Sequence, residues 1–224
     1  MLRACDEVRV FDRQAAEGPT SIDERALMFA IFDYGAGNLR SVQNTLAEIG
    51  AEYELVRDSE GLRRASKIIL PGVGHFGQMM RALDALAVRE TLKDRITAGV
   101  PFLGICLGLQ GLFESSEEAP EVSGLGLFPG TVRRFPLEAR VPHMGWNEVK
   151  AVRPCPLLNG AGPHPYLYFA HSYYVPETEV TAATCSYSVP YTAVLHSDNV
   201  FGVQFHPEKS GPSGLKIVSN FLKL

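Results

Sequence analysis

Nowhere in its 224 residues does this chain approach the roughly 18 consecutive apolar positions that a membrane-crossing helix needs. It has no excess of positive charge either. With 21 basic against 25 acidic side chains, the formal net charge is −4, which argues against nucleic acid or an anionic membrane as the main partner. Cysteine is scarce and scattered (Cys5, Cys106, Cys155, Cys185), and no two form a CxxC pair, so neither a zinc site nor a disulfide framework is indicated. Unpaired thiols fit a reducing cytoplasm. His143, His171 and His196 do not fall at metal-ligand spacing, so no metal is assigned, and nothing calls for a cofactor. There is one tryptophan, Trp146, and no internal repeat or low-complexity tract.

What remains is ordinary globular material: 46% hydrophobic and 21% charged residues, in a length that suits one large α/β domain. The first 27 residues stand apart. They mix Asp6, Glu7, Asp12 and Glu17 with Arg3, Arg9 and Arg13, contain Gly18-Pro19, and lack the apolar segment of a secretory signal. Residues 1–27 are therefore expected to be a poorly ordered extension, with a single domain over 28–224.

Within that domain, apolar runs expected to be buried strands (29–33, 52–56, 67–70, 101–105) alternate with helical periodicity over 40–49, 79–87 and 90–96. Such alternation predicts a mostly parallel central sheet flanked by helices. After about Gly124 the pattern changes to short β-branched and aromatic runs broken by Pro and Gly, at 130–135, 146–149, 166–171, 181–186, 192–196 and 200–205. The second half is thus expected to be strand-rich, closed by a helix over 214–222.

Chemistry concentrates at Gly104-Ile105-Cys106-Leu107-Gly108. A strand arrives, a helix over 107–113 is expected to leave, and a glycine sits two residues to either side of the cysteine. That is the form of a nucleophile elbow, where close backbone approach requires glycine. The first helical amides would favour a thiolate at Cys106. About a hundred residues on, His206-Pro207-Glu208 offers a general base and a carboxylate to orient it. If the strand continues through this segment, i and i+2 share a face. An oxyanion needs donors: the Leu107 amide is the natural first, and the second is expected from Gly72-Val73-Gly74, with Val73 and Gly74 as candidates. Gln110, one helical turn past Cys106, is a candidate substrate ligand or a packed helix residue. A lone cysteine in an apolar stretch is ordinarily an inert core thiol. Three separate segments that serve one mechanism favour catalysis here.

The pairing of Gly104–Gly108 with His206-Pro207-Glu208 resembles the class I, triad-type glutamine amidotransferases, over essentially residues 28–224. Asp33-Tyr34-Gly35-Ala36-Gly37-Asn38, Pro71-Gly72-Val73-Gly74, Pro142-His143-Met144-Gly145-Trp146-Asn147 and His171-Ser172-Tyr173-Tyr174 narrow the likeness to the branch serving imidazole glycerol phosphate synthases in histidine biosynthesis. The resemblance implies a Cys106–His206–Glu208 triad that hydrolyses glutamine, with Ser172 and Tyr173 holding substrate through backbone groups. It also implies a heterodimer with a (β/α)8-barrel cyclase subunit that receives the ammonia. Asn38 and Trp146 are candidate interface residues. Gly35-Ala36-Gly37 superficially echoes a dinucleotide fingerprint, but Arg40 occupies the third glycine's place, so NAD binding is disfavoured. The alternatives are a glutaminase subunit of another ammonia-channelling synthase, an α/β cysteine hydrolase or peptidase, and a scaffold subunit without activity.

Overall fold

A computed structural model describes residues 29–35 and 39–224. The expectations for residues 1–27 and for Asn38 lie outside the described residues.

The eight-stranded central sheet runs in the order β2 (Tyr53–Val56), β1 (Phe29–Phe32), β3 (Lys67–Gly72), β4 (Phe102–Cys106), β13 (Val200–Val203), β12 (Val189–Ser197), β11 (Thr181–Tyr187), β8 (Lys150–Ala151). From β2 to β13 the pairing is parallel. From β13 to β8 it is antiparallel. Two small sheets complete the second half: β10 (Tyr173–Tyr174), β6 (Phe128–Arg134) and β5 (Phe113–Ser116); and β7 (His143–Glu148) with β9 (Tyr166–His171).

The apolar runs form central strands because both faces of the parallel section are covered. Phe32, Ile68, Leu70 and Phe102 face one core with α2 (Ser59–Arg64), α3 (Phe76–Ala85) and α4 (Arg89–Thr97), through Leu62, Phe76, Met80 and Leu92. The alternating residues Ile31, Ile69, Leu103 and Ile105 face a second core with α1 (Leu39–Ile49) and α6 (Gly211–Leu222), through Leu46, Ile217 and Phe221. No helix among the described residues is long and apolar enough to cross a membrane.

Two expectations need correction here, and one helix was not foreseen. The helix after Cys106 is one turn, α5 (Leu107–Gln110), and not 107–113. Gly111 closes it, against the end of the Met79 side chain, and Phe113 leaves as strand β5, pairing with Phe128. The last strand ends at Val203 rather than 205. Helix α2 was not foreseen: its six residues bury only Gly61 and Leu62, too few for a periodic signal, and its start is fixed by Asp58 accepting from the Gly61 amide.

Candidate active site

Strand β4 delivers Cys106 to the carboxyl edge of the sheet, between β3 and β13. The cysteine sits at φ 53°, ψ −104°, a left-handed conformation that an L residue holds only when its surroundings impose it. The two flanking glycines explain how. A Cβ on Gly104 would stand 2.5 Å from the Gly108 carbonyl oxygen, and one on Gly108 would stand 2.1 Å from the Leu70 oxygen. Only hydrogen fits at either place, so the chain can reverse tightly enough to present the sulfur.

The base comes from just beyond β13. His206 is anchored by its amide to the Tyr168 carbonyl at 2.8 Å. Its Nδ1 donates to Glu208 Oε1 at 2.8 Å, and both side chains are nearly fully buried. These residues do not lie on a strand, as i, i+2 geometry had suggested. His206 precedes a 3-10 turn, Pro207–Lys209, and Pro207 in the first position of that turn folds Glu208 back onto the ring. Burial alone would lower the His206 pKa. Its electrostatic and hydrogen-bond interactions with Cys106, and those with Glu208, outweigh that and raise it to about 10.

A cavity of about 180 Å³ opens over this pair. Val73, Gly74, Cys106, Leu107, Gln110, Ser172, Tyr173 and His206 all line it, so eight residues singled out in the sequence meet at one place. Their individual arrangements refine the expectations. The Val73 N–H donates to the Tyr34 hydroxyl at 3.3 Å, and that hydroxyl reaches the Val73 carbonyl at the same distance. The amide expected to receive an oxyanion is therefore engaged. Burial, reinforced by the charges of Cys106 and Asp33 and opposed by the Val73 bond, raises the Tyr34 pKa to about 12, so its hydroxyl keeps its proton.

Gln110 turns its amide nitrogen inward, to the Tyr173 carbonyl at 2.8 Å and to Gln204 Oε1 at 3.1 Å, which leaves its oxygen for a ligand. The Ser172 carbonyl accepts from the Phe135 amide and the Tyr173 carbonyl from Gln110 and His171, so both backbone acceptors already serve the protein. Sequence reasoning missed Gln204. Its Nε2 lies 3.5 Å from Cys106 Sγ, and it is fully buried. Its place two residues before His206 was the available signal. Trp146 is 54% exposed on β7, next to Met144 at 64%, and packs edge-on against Tyr168.

An elbow cysteine and a buried imidazole line one small pocket, and a carboxylate behind the ring completes the arrangement that nucleophilic hydrolases and transferases of the triad kind use. Residues 30–224 match the family model for glutamine amidotransferase class I. The chain is 50% identical over 198 residues to the imidazole glycerol phosphate synthase subunit HisH of Methanothermobacter thermautotrophicus, covering 88% of this chain and 98% of that one. It is 45% identical over 195 residues to the same-named subunit of Bacillus cereus, covering 87% and 93%. Among solved structures, a crystal structure of a glutamine amidotransferase superposes with a TM-score of 0.70 at 19% identity, covering 88% of this chain and 97% of that one, a likeness of fold. The chain therefore belongs to the class I glutamine amidotransferase family and, within it, to the HisH subunits of imidazole glycerol phosphate synthase.

Proposed function

We propose that this chain hydrolyses glutamine to glutamate and ammonia at Cys106, as the glutaminase subunit of an imidazole glycerol phosphate synthase. The observation that carries the reading is that Cys106 and His206 line one pocket, with the His206 ring held from behind by Glu208 at 2.8 Å. Relatives at 45–50% identity bear the name of that subunit.

The sulfur, as thiolate, attacks the side-chain carboxamide carbon of glutamine. The developing oxyanion takes the Leu107 amide and, once Tyr34 releases it, the Val73 amide. His206 gives its proton to the departing nitrogen, so ammonia leaves and a γ-glutamyl thioester remains. The neutral ring then takes a proton from water as it attacks the thioester, which releases glutamate and restores the thiolate. Glu208 keeps the ring's other N–H occupied throughout, so the nitrogen facing sulfur carries the transferred proton.

The ammonia passes to a (β/α)8-barrel cyclase subunit docked over the face that carries Trp146. That partner makes imidazole glycerol phosphate and an aminoimidazole carboxamide ribotide. The Tyr34–Val73 contact would keep the isolated chain slow until a docked partner displaces the hydroxyl. The test is Cys106→Ser assayed in the complex. Glutamine-dependent synthesis falls by about 10³-fold or more, while synthesis from added ammonium salts persists. Loss of both activities in an intact complex overturns the division of labour.

A further inference from the structure

Beneath the pocket wall lies a closed box of rings that the chemistry above does not use. It is built on His143 from β7, His171 from β9 and Tyr191 from β12, with exposures of 4%, 6% and 0%. The Tyr191 hydroxyl sits between the two imidazoles, 3.2 Å from His143 Nδ1 and 3.3 Å from His171 Nε2. On the far side, His171 Nδ1 lies 2.8 Å from the Tyr173 carbonyl. The rings have no room to turn. His143 stacks on Tyr187 with centroids 3.9 Å apart, and Phe135 packs against His171 and Tyr191 at 5.3 and 5.6 Å.

Only one arrangement of protons satisfies this box. Burial lowers the pKa of His143 to about 4 and of His171 to about 3, so near neutral pH each ring carries a single N–H. A carbonyl can only accept, so the proton of His171 is on Nδ1. Its Nε2 then needs a donor, and the Tyr191 O–H supplies it. That uses the hydroxyl's one proton, so His143 must donate from Nδ1. The Cys185 thiol completes the oxygen's surroundings.

The order continues to the sulfur. The Tyr173 carbonyl, held by His171, also accepts from Gln110, Gln110 donates to Gln204, and Gln204 reaches Cys106 Sγ. We propose that Tyr191 is a positioning residue for glutamine. By fixing the tautomer of His171, it holds the Tyr173 carbonyl and, through it, the Gln110 side chain at the substrate wall. This inference rests on the pocket being the glutamine site.

In Tyr191→Phe, His171 Nε2 loses its donor and the ring shifts toward the Nε2–H form, whose Nδ1 lone pair repels the Tyr173 carbonyl. In the complex with the cyclase subunit, KM for glutamine rises about tenfold while kcat changes less than about twofold, the pattern of lost binding rather than lost chemistry. His171→Asn puts an amide nitrogen where Nδ1 was. It has no tautomer for Tyr191 to fix, so whatever KM this variant shows, adding Tyr191→Phe changes it no further. Nitrogen NMR of the imidazoles reads the tautomer directly, whatever the activity: His171 is Nδ1–H in the wild type and partly Nε2–H in Tyr191→Phe. An unmoved KM in Tyr191→Phe, an equal loss in the His171→Asn background, or an Nε2–H wild-type ring overturns the assignment. A wild-type complex without glutaminase activity would instead fail the reading of the pocket.

Discussion

Two regions that meet at one cavity treat buried histidine in opposite ways. His206 and His171 both line the pocket, and each is almost completely buried. Burial pushes both toward the neutral form. The pKa of His206 is pushed up because Cys106 and a carboxylate face it, whereas those of His171 and His143, which meet a hydroxyl and a carbonyl, are lowered by burial. The charge of the nearest partner, rather than depth, decides the state. One ring is thereby equipped to move a proton, and the other two to hold protons still.

The largest break in this comparison comes from removing the charged ring. His206→Ala lowers kcat for glutamine by about 10³-fold, within the range a positioned acid–base group supplies. Glu208→Ala, which leaves the ring in place but unoriented, costs about 10- to 100-fold, less than loss of the base itself. Turnover of both variants with the partner present checks the order, and an equal or larger effect at Glu208 would sink it.

A smaller effect, of opposite sign, follows from freeing the engaged amide. Tyr34→Phe raises the glutaminase rate of the isolated chain about fivefold, the value of a net hydrogen bond near 1 kcal/mol. The stimulation by partner shrinks by the same factor. Rates measured with and without the cyclase subunit decide this, and an unchanged ratio would count against it.

The smallest effect is on stability against pH, and its sign differs between the regions. The neutral pair has folded pKa values below the unfolded value of about 6.5, so the unfolded chain gains protons first as pH drops. Stability is therefore lost from about pH 6.5 downward, toward about 4 and about 3. His206 has a raised value, so its contribution is complete below about 6.5 and fades as pH rises through about 10. Thermal melts should show His171→Asn flattening the acid limb and His206→Ala flattening the alkaline limb. If both variants altered the same limb, the opposition would be wrong.

Much of this was legible in the residues. The apolar strands β1, β3 and β4 announced a sheet covered on both faces, and Gly104 and Gly108 announced a backbone with no space for a side chain. The base and its carboxylate sat together in His206-Pro207-Glu208. What stayed hidden depends on contacts between distant segments. Tyr34 meets Val73 39 positions away, Tyr191 meets His143 across 48, and Gln204 meets Cys106 across 98. No local pattern encodes such meetings. The Pro142–Asn147 segment drew notice through family likeness, and its physical logic emerged only in strand β7. There His143 points into the ring box, while Met144 lies exposed and Trp146 more than half exposed.

The place of β13 bears on how the molecule is made. The strand that leads to His206 is inserted between β4 and β12, next to the strand that ends at Cys106, although its residues come near the end of the chain. During synthesis β4 therefore waits with one open side until Val200–Val203 leave the ribosome. A nascent chain halted before that point exposes an unpaired, wholly apolar edge and has no imidazole beside Cys106. Completion of the sheet and the onset of chemical competence are a single late event.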